Sequence, residues 1–368
     1  MRILFTRFPL ESRYGGAEVQ TLSLMQELKK HRHAVAFLGS CPTLLTLCWD
    51  NGIPAAELSI GPPPVSKWNA VSFLWRKRTM QRKLAEALGE LPDVNTILML
   101  SLSDKILLTP LAIERGIRVI WVEHDGIGRW LTKNPWLSQL RALSKHVTTV
   151  VVSDLSRERY LELGWDPAHI VSIPNGIDLA RLQEPIPPEN DQPQGAHEGF
   201  RLGCIARLTY DKGVDLLIEA VSDLPQVSLT IVGGGREEGR LKANIADRGL
   251  TDRVRIVPSV RSVGEFYRSL DAFVLPSRFH DPCPLAPMEA MLLGVPTIMT
   301  EVCGTAGYLE PGKDAIIVRA DSSGALHEAV VALLSRERLA SVAHNGKCTA
   351  REKFSLDRMV DAYEALLA

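Results

Sequence analysis

The stretch Asp281-Pro-Cys-Pro-Leu-Ala-Pro-Met-Glu289-Ala-Met-Leu-Leu-Gly294-Val-Pro296 decides how the second half of this chain folds. It follows the apolar run Asp271–Pro276, which is typical of a buried strand. The residues around Glu289 predict a short helix that stops at Gly294, because Gly and Pro end helices. A strand, a Pro-rich turn and a helix N-terminus together favour anion binding, since free backbone N–H groups and the helix dipole meet there.

Two carboxylates, Asp281 and Glu289, bracket this turn. A carboxylate does not bind phosphate, but it accepts hydrogen bonds from sugar hydroxyls beside the phosphate. The stretch therefore predicts a ligand that has both a phosphate and a sugar. A capped helix in an ordinary α/β protein is the simpler interpretation of the same residues.

The pattern acidic-x7-Glu-Ala-Met-x-x-Gly-x-Pro resembles the donor-site signature of glycosyltransferase family 4, the retaining GT-B enzymes. The family usually has Glu at the first position, where this chain has the shorter Asp281. The resemblance implies an α/β fold of the GT-B class, with two Rossmann-like domains facing each other across a cleft. It also implies that Asp281 contacts the donor sugar and that Glu289 contacts the nucleotide ribose. Pro284 and Leu285, at the start of the helix, would line the same donor site.

Length and composition agree with two globular domains. The chain has 368 residues, of which 45% are hydrophobic and 23% charged, enough for two cores. A net charge of -1 gives no argument for nucleic-acid binding. The six Cys are scattered without zinc-ligand spacing, so we expect reduced thiols in a cytoplasmic protein. We also expect no signal peptide and no membrane-spanning segment.

Basic and aromatic residues concentrate in the first half of the chain. Residues 1–182 contain 22 basic and 17 acidic side chains, the remainder contains 20 and 26, and all seven Trp lie in the first half. The densest stretch is Ser66–Lys83, with six basic residues and no acidic one. It predicts a basic amphipathic segment suited to an anionic membrane surface. A solvated helix face with buried aromatic residues is the alternative.

The N-terminus predicts the first Rossmann-like unit. The strand-like Arg2–Phe8 is followed by Gly15 and Gly16 and then by apolar residues at helical spacing. Two glycines at a helix start let backbone approach a diphosphate closely, although a tight turn alone would also explain them. In the family that the chain resembles, this loop lies against the donor phosphates and the acceptor.

A histidine follows a later strand of this first unit. The run Val119–Glu123 is strand-like, and His124 comes directly after it. Ligands in open α/β sheets bind at the carboxyl ends of strands, although a lone His is more often structural. The family resemblance implies that His124 contacts the donor sugar near the reaction centre.

The second Rossmann-like unit is predicted to hold the diphosphate. Arg207 and Lys212 follow the strand-like Arg201–Ala206, where two cations and helix N–H groups would neutralise a diphosphate. The run resembles the family's Gly-Arg-Leu-x-x-x-Lys-Gly motif, with Ala206 in place of the first Gly. Gly233 and Gly234 resemble the family's loop beside the nucleotide base and the diphosphate.

Four segments are predicted along the chain. Pro174-Asn-Gly-Ile-Asp178 resembles the family's domain-junction motif, and a Pro-rich polar stretch follows it. The predicted segments are an acceptor domain over residues 1–182, a linker over 183–199, a nucleotide-sugar domain over 200–350 and a final helix over 351–368 that crosses back to the first domain.

Together with these observations, the family resemblance implies a retaining glycosyltransferase. It would move a hexose-type sugar from a nucleotide-diphosphate sugar, such as a UDP- or GDP-sugar, to a glycan or lipid-linked acceptor in bacterial surface polysaccharide or lipopolysaccharide assembly. No D-x-D motif is present, so we expect no metal and no other cofactor, with Arg207, Lys212 and backbone N–H groups acting on the diphosphate. We expect a cytoplasmic enzyme, peripheral at the inner face of the cell membrane. The sequence leaves open a soluble glycosyltransferase with a small-molecule acceptor, a nucleotide-sugar epimerase, and an inactive sugar-nucleotide-binding subunit.

Overall fold

The computed structural model describes residues 1–9, 15–182 and 199–368. These residues form two compact units: the first contains Met1–Pro174 with Met359–Ala368, and the second contains Asn175–Arg358. Of the predicted linker over residues 183–199, only Gly199 lies among the described residues. Each unit has its own sheet and its own core.

The first unit is built on a parallel sheet. Its strands are β1 (Arg2–Arg7), β2 (Ala34–Gly39), β3 (Ala55–Glu57), β4 (Thr96–Met99), β5 (Arg118–Glu123), β6 (Thr148–Val151) and β7 (Ile170–Ser172). Within the described residues they lie in the order β3-β2-β1-β4-β5-β6-β7, and every pairing is parallel. The central strands are apolar and buried, as strands covered by helices on both faces must be.

Helices cover this sheet. They are α1 (Gly16–Lys30), α2 (Pro42–Asp50), α3 (Lys67–Gly89), α4 (Leu102–Glu114), α5 (Arg129–Thr132), α6 (Leu137–Ser144) and α7 (Asp154–Glu162). Several begin at a polar cap: Ser101 and Asp104 form a capping box at α4, and Ser66 and Ser153 each accept a backbone N–H bond at α3 and α7. The core between the sheet and these helices is centred on buried Trp121, with Phe73 from α3.

The second unit repeats the same plan. Its strands are β8 (Phe200–Ile205), β9 (Val227–Val232), β10 (Val254–Val257), β11 (Ala272–Leu275), β12 (Thr297–Thr300) and β13 (Ile316–Val318). Within the described residues they lie in the order β10-β9-β8-β11-β12-β13, again in parallel. All four residues of β11 are buried, which agrees with the buried strand predicted there.

The helices of the second unit lie between and after these strands. They are α8 (Val214–Ala220), α9 (Glu238–Asp247), α10 (Val263–Arg268), α11 (Leu285–Leu292), α12 (Ser323–Leu333) and α13 (Arg336–Lys353), and α14 (Leu356–Leu367) ends the chain. Helix α11 begins after Pro284 and ends before Gly294, whose φ of 81° places it in the left-handed region that favours glycine. The decisive stretch therefore folds as the predicted strand, turn and short helix.

The predicted fold class is confirmed, since both units are Rossmann-like α/β sheets. In each sheet the strand order reverses between two neighbouring strands, at β1/β4 in the first unit and at β8/β11 in the second. Ligands of doubly wound sheets bind at the carboxyl ends of the strands beside this switch point. The loops after these four strands, together with the loop after β5, are therefore where functional side chains should lie.

Candidate functional site

Lys212 and Asp281 meet at the switch point of the second sheet. Lys212 follows β8 and Asp281 follows β11, and Lys212 Nζ lies 2.5 Å from Asp281 Oδ2. Ser277 donates its hydroxyl to the same oxygen at 2.8 Å. Both charged side chains are largely buried, so the pair is a fixed part of this edge rather than a surface contact. Two residues that the sequence assigns to the diphosphate and to the donor sugar thus lie side by side.

A glycine and an arginine hold the loop that carries Lys212. Gly213 has a φ of 64°, and a Cβ built on it would lie 2.1 Å from the carbonyl oxygen of Pro276. Only glycine therefore allows the loops after β8 and β11 to approach so closely. Arg278 then ties them together, since it donates to both carboxylate oxygens of Asp215 at 2.7 and 3.0 Å and to Asp321 at 2.7 Å. Its guanidinium also lies 4.3 Å from the ring centroid of Tyr210.

Arg207 lies in the same loop but stays apart from this network. Its side chain is exposed, and it makes no hydrogen bond or ion pair with any side chain in the part of the chain that the structure describes. A free cation in the loop that carries Lys212 is available to an anionic ligand.

The glycine-rich turn after β9 packs against this loop. A Cβ on Gly233 would lie 2.1 Å from the carbonyl oxygen of Ala206, and one on Gly235 would lie 2.3 Å from that of Leu208. The amide of Leu208 also donates to the carbonyl of Gly234 at 3.0 Å. The turn is thus a close backbone approach of two loops, and it brings Gly233 and Gly234 beside the segment that carries Arg207.

Glu289 lies on α11, where its carboxylate is buried and two neighbouring side chains fix its orientation. Arg181 Nη2 lies 2.5 Å from Glu289 Oε1, and the hydroxyl of Tyr267 donates to Oε2 at 3.0 Å. Burial raises the pKa of Glu289, while the Arg181 charge and the Tyr267 hydrogen bond oppose that shift. Burial and the neighbouring Glu289 charge raise the pKa of Tyr267 well above its usual value, so its hydroxyl stays a donor.

A hydrogen bond from a buried asparagine holds the turn before α11 in place. Pro284 is the N-cap residue of α11 and Leu285 its first residue, and both are half-buried. Asn175, of the predicted junction motif, is buried and donates its side-chain amide to the carbonyl of Cys283 at 2.8 Å. Burial raises the pKa of the Cys283 thiol to about 12, so this cysteine is an inert thiol of the turn.

His124 lies at the carboxyl end of β5 in the first unit. It is half-buried and borders a small cavity of about 10 Å³, together with Met359 and Tyr363 of α14. Its Nδ1 is buried and has no hydrogen-bond partner among the described residues. Burial and the nearby Arg7 charge lower the pKa of His124 to about 4. The imidazole is therefore neutral at physiological pH and can act as a hydrogen-bond donor or acceptor.

Buried ion pairs surround His124. Lys105 Nζ lies 2.8 Å from Glu123 Oε1 and donates to the carbonyl of Val122 at 3.1 Å, which fixes the strand end before His124. Arg7 at the end of β1 pairs with Glu18 of α1 at 2.8 Å. Gly15 and Gly16 stand at the start of that helix, with Gly15 as its N-cap residue in extended backbone. The first unit thus gathers charged side chains at the carboxyl ends of β1 and β5.

Helix α3 presents an apolar face to solvent. Trp68, Leu74 and Trp75 are 84%, 60% and 74% exposed, and Val71 lies beside them. We call these four residues the α3 apolar face. Basic residues flank it on the exposed side of the helix: Lys67, Arg78, Arg82 and Lys83. Large apolar side chains rarely stand together in water, so this face is a candidate docking surface.

Four residues of the site were not predicted from the sequence. Ser277 and Arg278 directly follow β11, so their place at a strand end was a usable signal. Arg181 and Tyr267 gave no signal, because their link to Glu289 exists only in the folded unit. Within the described residues, no group of three or more His, Cys, Asp and Glu side chains could hold a metal ion. No helix among the same residues is long and apolar enough to cross a bilayer.

Family models match both halves of the chain. The model "Glycosyltransferase Family 4" matches residues 14–181, and "Glycosyl transferases group 1" matches residues 188–349. The two matches fall on the two units and together cover most of the chain. The resemblance that the sequence suggested is therefore confirmed.

Individual relatives agree with this result. A lipopolysaccharide core biosynthesis mannosyltransferase, LpcC of Rhizobium leguminosarum, is 28% identical over 86% of this chain and 87% of its own length. LpsB of Rhizobium meliloti, with the same description, is 30% identical over 54% of this chain, but the match spans only 63% of that protein. The crystal structure of HepE of Anabaena in complex with UDP has a TM-score of 0.84 at 18% identity, covering 100% of this chain and 99% of that one. The fold is thus shared with a protein of the GT-B class.

Proposed function

This chain belongs to the family 4 glycosyltransferases, and from that premise we propose that its second unit holds a nucleotide-diphosphate sugar and its first unit the acceptor. The observation that carries the proposal is the carboxyl edge of the second sheet, where Lys212 and Asp281 hold each other and Glu289 is held separately by Arg181 and Tyr267. Cations for a diphosphate and carboxylates for sugar hydroxyls lie on the same edge. This combination is suited to the chemical class of the donor.

Each residue of this edge has a proposed role. Lys212 and Arg207 neutralise the diphosphate, and the latter is free to do so because its side chain is unpaired within the described residues. Asp281 accepts from hydroxyls of the donor sugar, and Glu289 accepts from the ribose. Pro284, Leu285 and the backbone of Gly233 and Gly234 line the site.

The proposed reaction retains the configuration at the anomeric carbon and needs no metal or other cofactor. The bond between the anomeric carbon and the diphosphate oxygen breaks, and a bond from the same carbon to an acceptor oxygen forms on the same face. The departing diphosphate takes the acceptor proton. Lys212 and Arg207 stabilise the negative charge that develops on the diphosphate, which is the work that a metal ion would otherwise do.

We propose that the acceptor is a glycan or lipid-linked intermediate of bacterial surface polysaccharide or lipopolysaccharide. The support comes from two relatives, since LpcC and LpsB are both described as lipopolysaccharide core biosynthesis mannosyltransferases. HepE was solved with UDP and with UDP-glucose, whereas a mannosyltransferase of Mycolicibacterium smegmatis, 27% identical over 72% of this chain, is described as GDP-mannose-dependent. Hexose donors carried on UDP and on GDP are therefore the first to test.

A transfer assay tests the activity. The protein is incubated with UDP-glucose, UDP-galactose or GDP-mannose, in EDTA, with a lipopolysaccharide core extract as acceptor. We expect release of one nucleoside diphosphate that depends on the acceptor, and an α-linked product by NMR, since these donors are α-linked. An inverted product would contradict the retaining mechanism. Activity only after addition of a divalent metal would contradict the metal-independent one.

The same proposal places the enzyme at a membrane surface. The α3 apolar face offers two exposed tryptophans, and four basic residues flank it. Trp and Lys or Arg side chains in this combination suit the interface of an anionic bilayer, where each basic residue is worth about 1 kcal/mol. The proposed site of attachment is the inner face of the cell membrane, where a lipid-linked acceptor would be met.

Vesicle flotation tests the membrane proposal. Unmodified protein should float with phosphatidylglycerol-containing vesicles and not with pure phosphatidylcholine, while a W68S/W75S variant should stay at the bottom. The W49S variant is a matched control, because Trp49 is also exposed but lies on α2, away from this face. Equal flotation of W68S/W75S and the unmodified protein would contradict the proposal.

A further inference from the structure

The segment that ends at Leu182 brings an arginine onto the buried Glu289. Arg268 of α10 donates to the carbonyl of Leu182 at 2.9 Å, and a Cβ on Gly264 would lie 1.9 Å from the same oxygen. The backbone beside Arg181 is thus packed tightly against α10. The same helix carries Tyr267, the second partner of Glu289. Helix α10 therefore supports both residues that contact the Glu289 carboxylate.

Glu289 has room for further donors in this arrangement. A carboxylate has about four lone-pair positions, and Arg181 and Tyr267 use one on each oxygen. Two positions remain, which matches the two adjacent hydroxyls of a ribose. The side chain of Arg181 is 38% exposed, so the pair borders solvent even though Glu289 itself is buried.

We infer that Arg181 is a positioning residue for nucleotide binding, which keeps Glu289 ionised and fixes the orientation in which it accepts the ribose hydroxyls. The inference rests on the donor site proposed above and adds a residue to it. Arg181 acts through Glu289 and not by contact with the reacting atoms.

The physical reason is the burial of Glu289. Burial raises the pKa of this carboxyl, and the charge of Arg181 is the first of the effects that lower it again. Among the described residues, the titratable groups that influence Glu289 are Arg181 and Tyr267, with the Cys204 thiol beyond Tyr267. Without Arg181 the pKa of this carboxyl should rise further, so that it takes up a proton at a higher pH than in the unmodified protein. A protonated carboxyl is a poorer acceptor for two hydroxyls than a carboxylate.

The test is nucleotide affinity against pH. The dissociation constants of UDP and GDP are measured by calorimetry from about pH 8 to pH 6 for the unmodified protein and for R181Q. The ratio of the two constants at each pH removes the nucleotide's own titration. We expect R181Q to bind more weakly, by about tenfold at the acid end, and the ratio to grow as the pH falls. R181K, which keeps the charge, should restore a flat ratio.

Two variants serve as references. R268Q removes an arginine that supports the same segment but does not touch Glu289, so its ratio should not change with pH. E289Q cannot ionise, and R181Q should approach its affinity at the acid end. Equal pH profiles for R181Q and R268Q would overturn the role of Arg181. Failure of the unmodified protein to bind either nucleotide at any pH would overturn the donor site, and this inference with it.

Discussion

Among single residues, Lys212 and Asp281 matter most for the proposed donor site. The family usually has Glu where this chain has Asp281, and the shorter side chain still reaches Lys212 and Ser277. A largely buried ion pair is costly to break from one side, because the remaining charge loses its partner. Lys212 and Asp281 should therefore behave as one functional group.

This coupling predicts non-additive kinetics. K212A and D281N should each lower kcat for sugar transfer by about 10²-fold, since each removes a preorganised charge from the diphosphate and sugar site. The double variant should lose little more than the worse single variant. The measurement is the initial rate of nucleoside diphosphate release. K242A, which removes an exposed lysine of the same unit, should leave the rate unchanged. Multiplicative losses in the double variant would show that the two residues act separately.

His124 makes a prediction about pH. Its pKa is about 4 in the folded protein and about 6.5 in an unfolded chain, so the unfolded state binds more protons between these values. This group therefore lowers stability as the pH falls from about 6.5 to about 4. H124N should lose less stability over that range than the unmodified protein, measured by urea unfolding at each pH. Burial raises the pKa of Asp104 to about 6, so this carboxyl increases the free energy of unfolding as the pH falls. It does so equally in both proteins and does not affect the comparison. An unchanged pH dependence in H124N would contradict a neutral, half-buried imidazole at this position.

Single residues were predictable where a motif fixed them. Lys212, Asp281 and Glu289 were named from spacing and family resemblance, and the structure places all three on one edge of the sheet, although their roles remain predictions. Arg181 was not predictable, because it reaches Glu289 from 108 positions away along the chain. Such a contact depends on tertiary packing and leaves no local pattern.

Loops rather than helices and strands carry the site at the scale of elements. The loops after β8, β9 and β11 touch through glycines, where any side chain would collide with a neighbouring carbonyl. The decisive glycine is Gly213, because Lys212 precedes it directly and α8 begins immediately after it. The position of Lys212 should therefore depend on this backbone more than on its own side-chain contacts.

Substitution of Gly213 tests that dependence. G213A should destabilise the protein by about 1–3 kcal/mol, because a left-handed φ and a 2.1 Å approach to Pro276 are both incompatible with a Cβ. Thermal unfolding measures this loss. In G239A the Cβ meets open space on α9, so that variant should be neutral or slightly stabilising. Equal stability of the two variants would contradict the close approach of the two loops.

Helix α3 shows which of its basic residues are free for a partner. Arg76 donates to the carbonyl of Pro62 at 3.2 Å and to Ser72 Oγ at 3.2 Å, and Lys77 donates to Gln139 and lies over the ring of Trp136. Two of the six basic residues of this stretch are thus part of the first unit's own packing. Lys83 also donates to the carbonyl of Ser59 at 3.2 Å, and Arg82 lies 3.8 Å from Glu86, so Lys67 and Arg78 are the two without such a contact among the described residues. Lys67, Arg78, Arg82 and Lys83 remain on the exposed side.

This division predicts opposite effects from neighbouring arginines. R76A should lower the free energy of unfolding by about 1–2 kcal/mol through lost hydrogen bonds, with little direct effect on vesicle binding. R78A should leave the stability within about 0.5 kcal/mol and weaken binding to anionic vesicles. Urea unfolding and flotation, measured on both variants, check the pair. Stability loss in R78A instead of R76A would contradict the assigned contacts.

Elements were predictable from apolar runs, with small errors at their ends. The run Val119–Glu123 begins one residue earlier in β5, whereas the run Asp271–Pro276 shortens to β11 by one residue at each end. The edge strand β3 was not predicted, because its three residues are partly exposed and form no apolar run. Helix α3 extends beyond Lys83 to Gly89, since Leu84 and Leu88 continue its buried face.

Two sheets of the same plan define the whole molecule. Fold class followed from the sequence because family motifs occur in order along the chain, and the strand orders of both sheets confirm it. The two compact units change at Pro174/Asn175 and at Arg358/Met359, whereas the predicted limits were residues 182 and 351, and all of the predicted linker except Gly199 lies outside the described residues. Donor base, sugar and linkage do not follow from the sequence, because such selection depends on the shape of several loops together.

Thermal unfolding in the presence of UDP, GDP, ADP, CDP or TDP, each with and without EDTA, tests most directly whether the second unit binds a nucleotide without a metal ion. A ligand that binds the native state adds about 2.7 kcal/mol at a concentration of about 100 times its Kd. We predict that one nucleotide raises the Tm, that EDTA leaves the rise unchanged, and that E289Q and K212A reduce it. No rise with any nucleotide, or a rise that EDTA abolishes, would contradict a metal-independent donor site in the second unit.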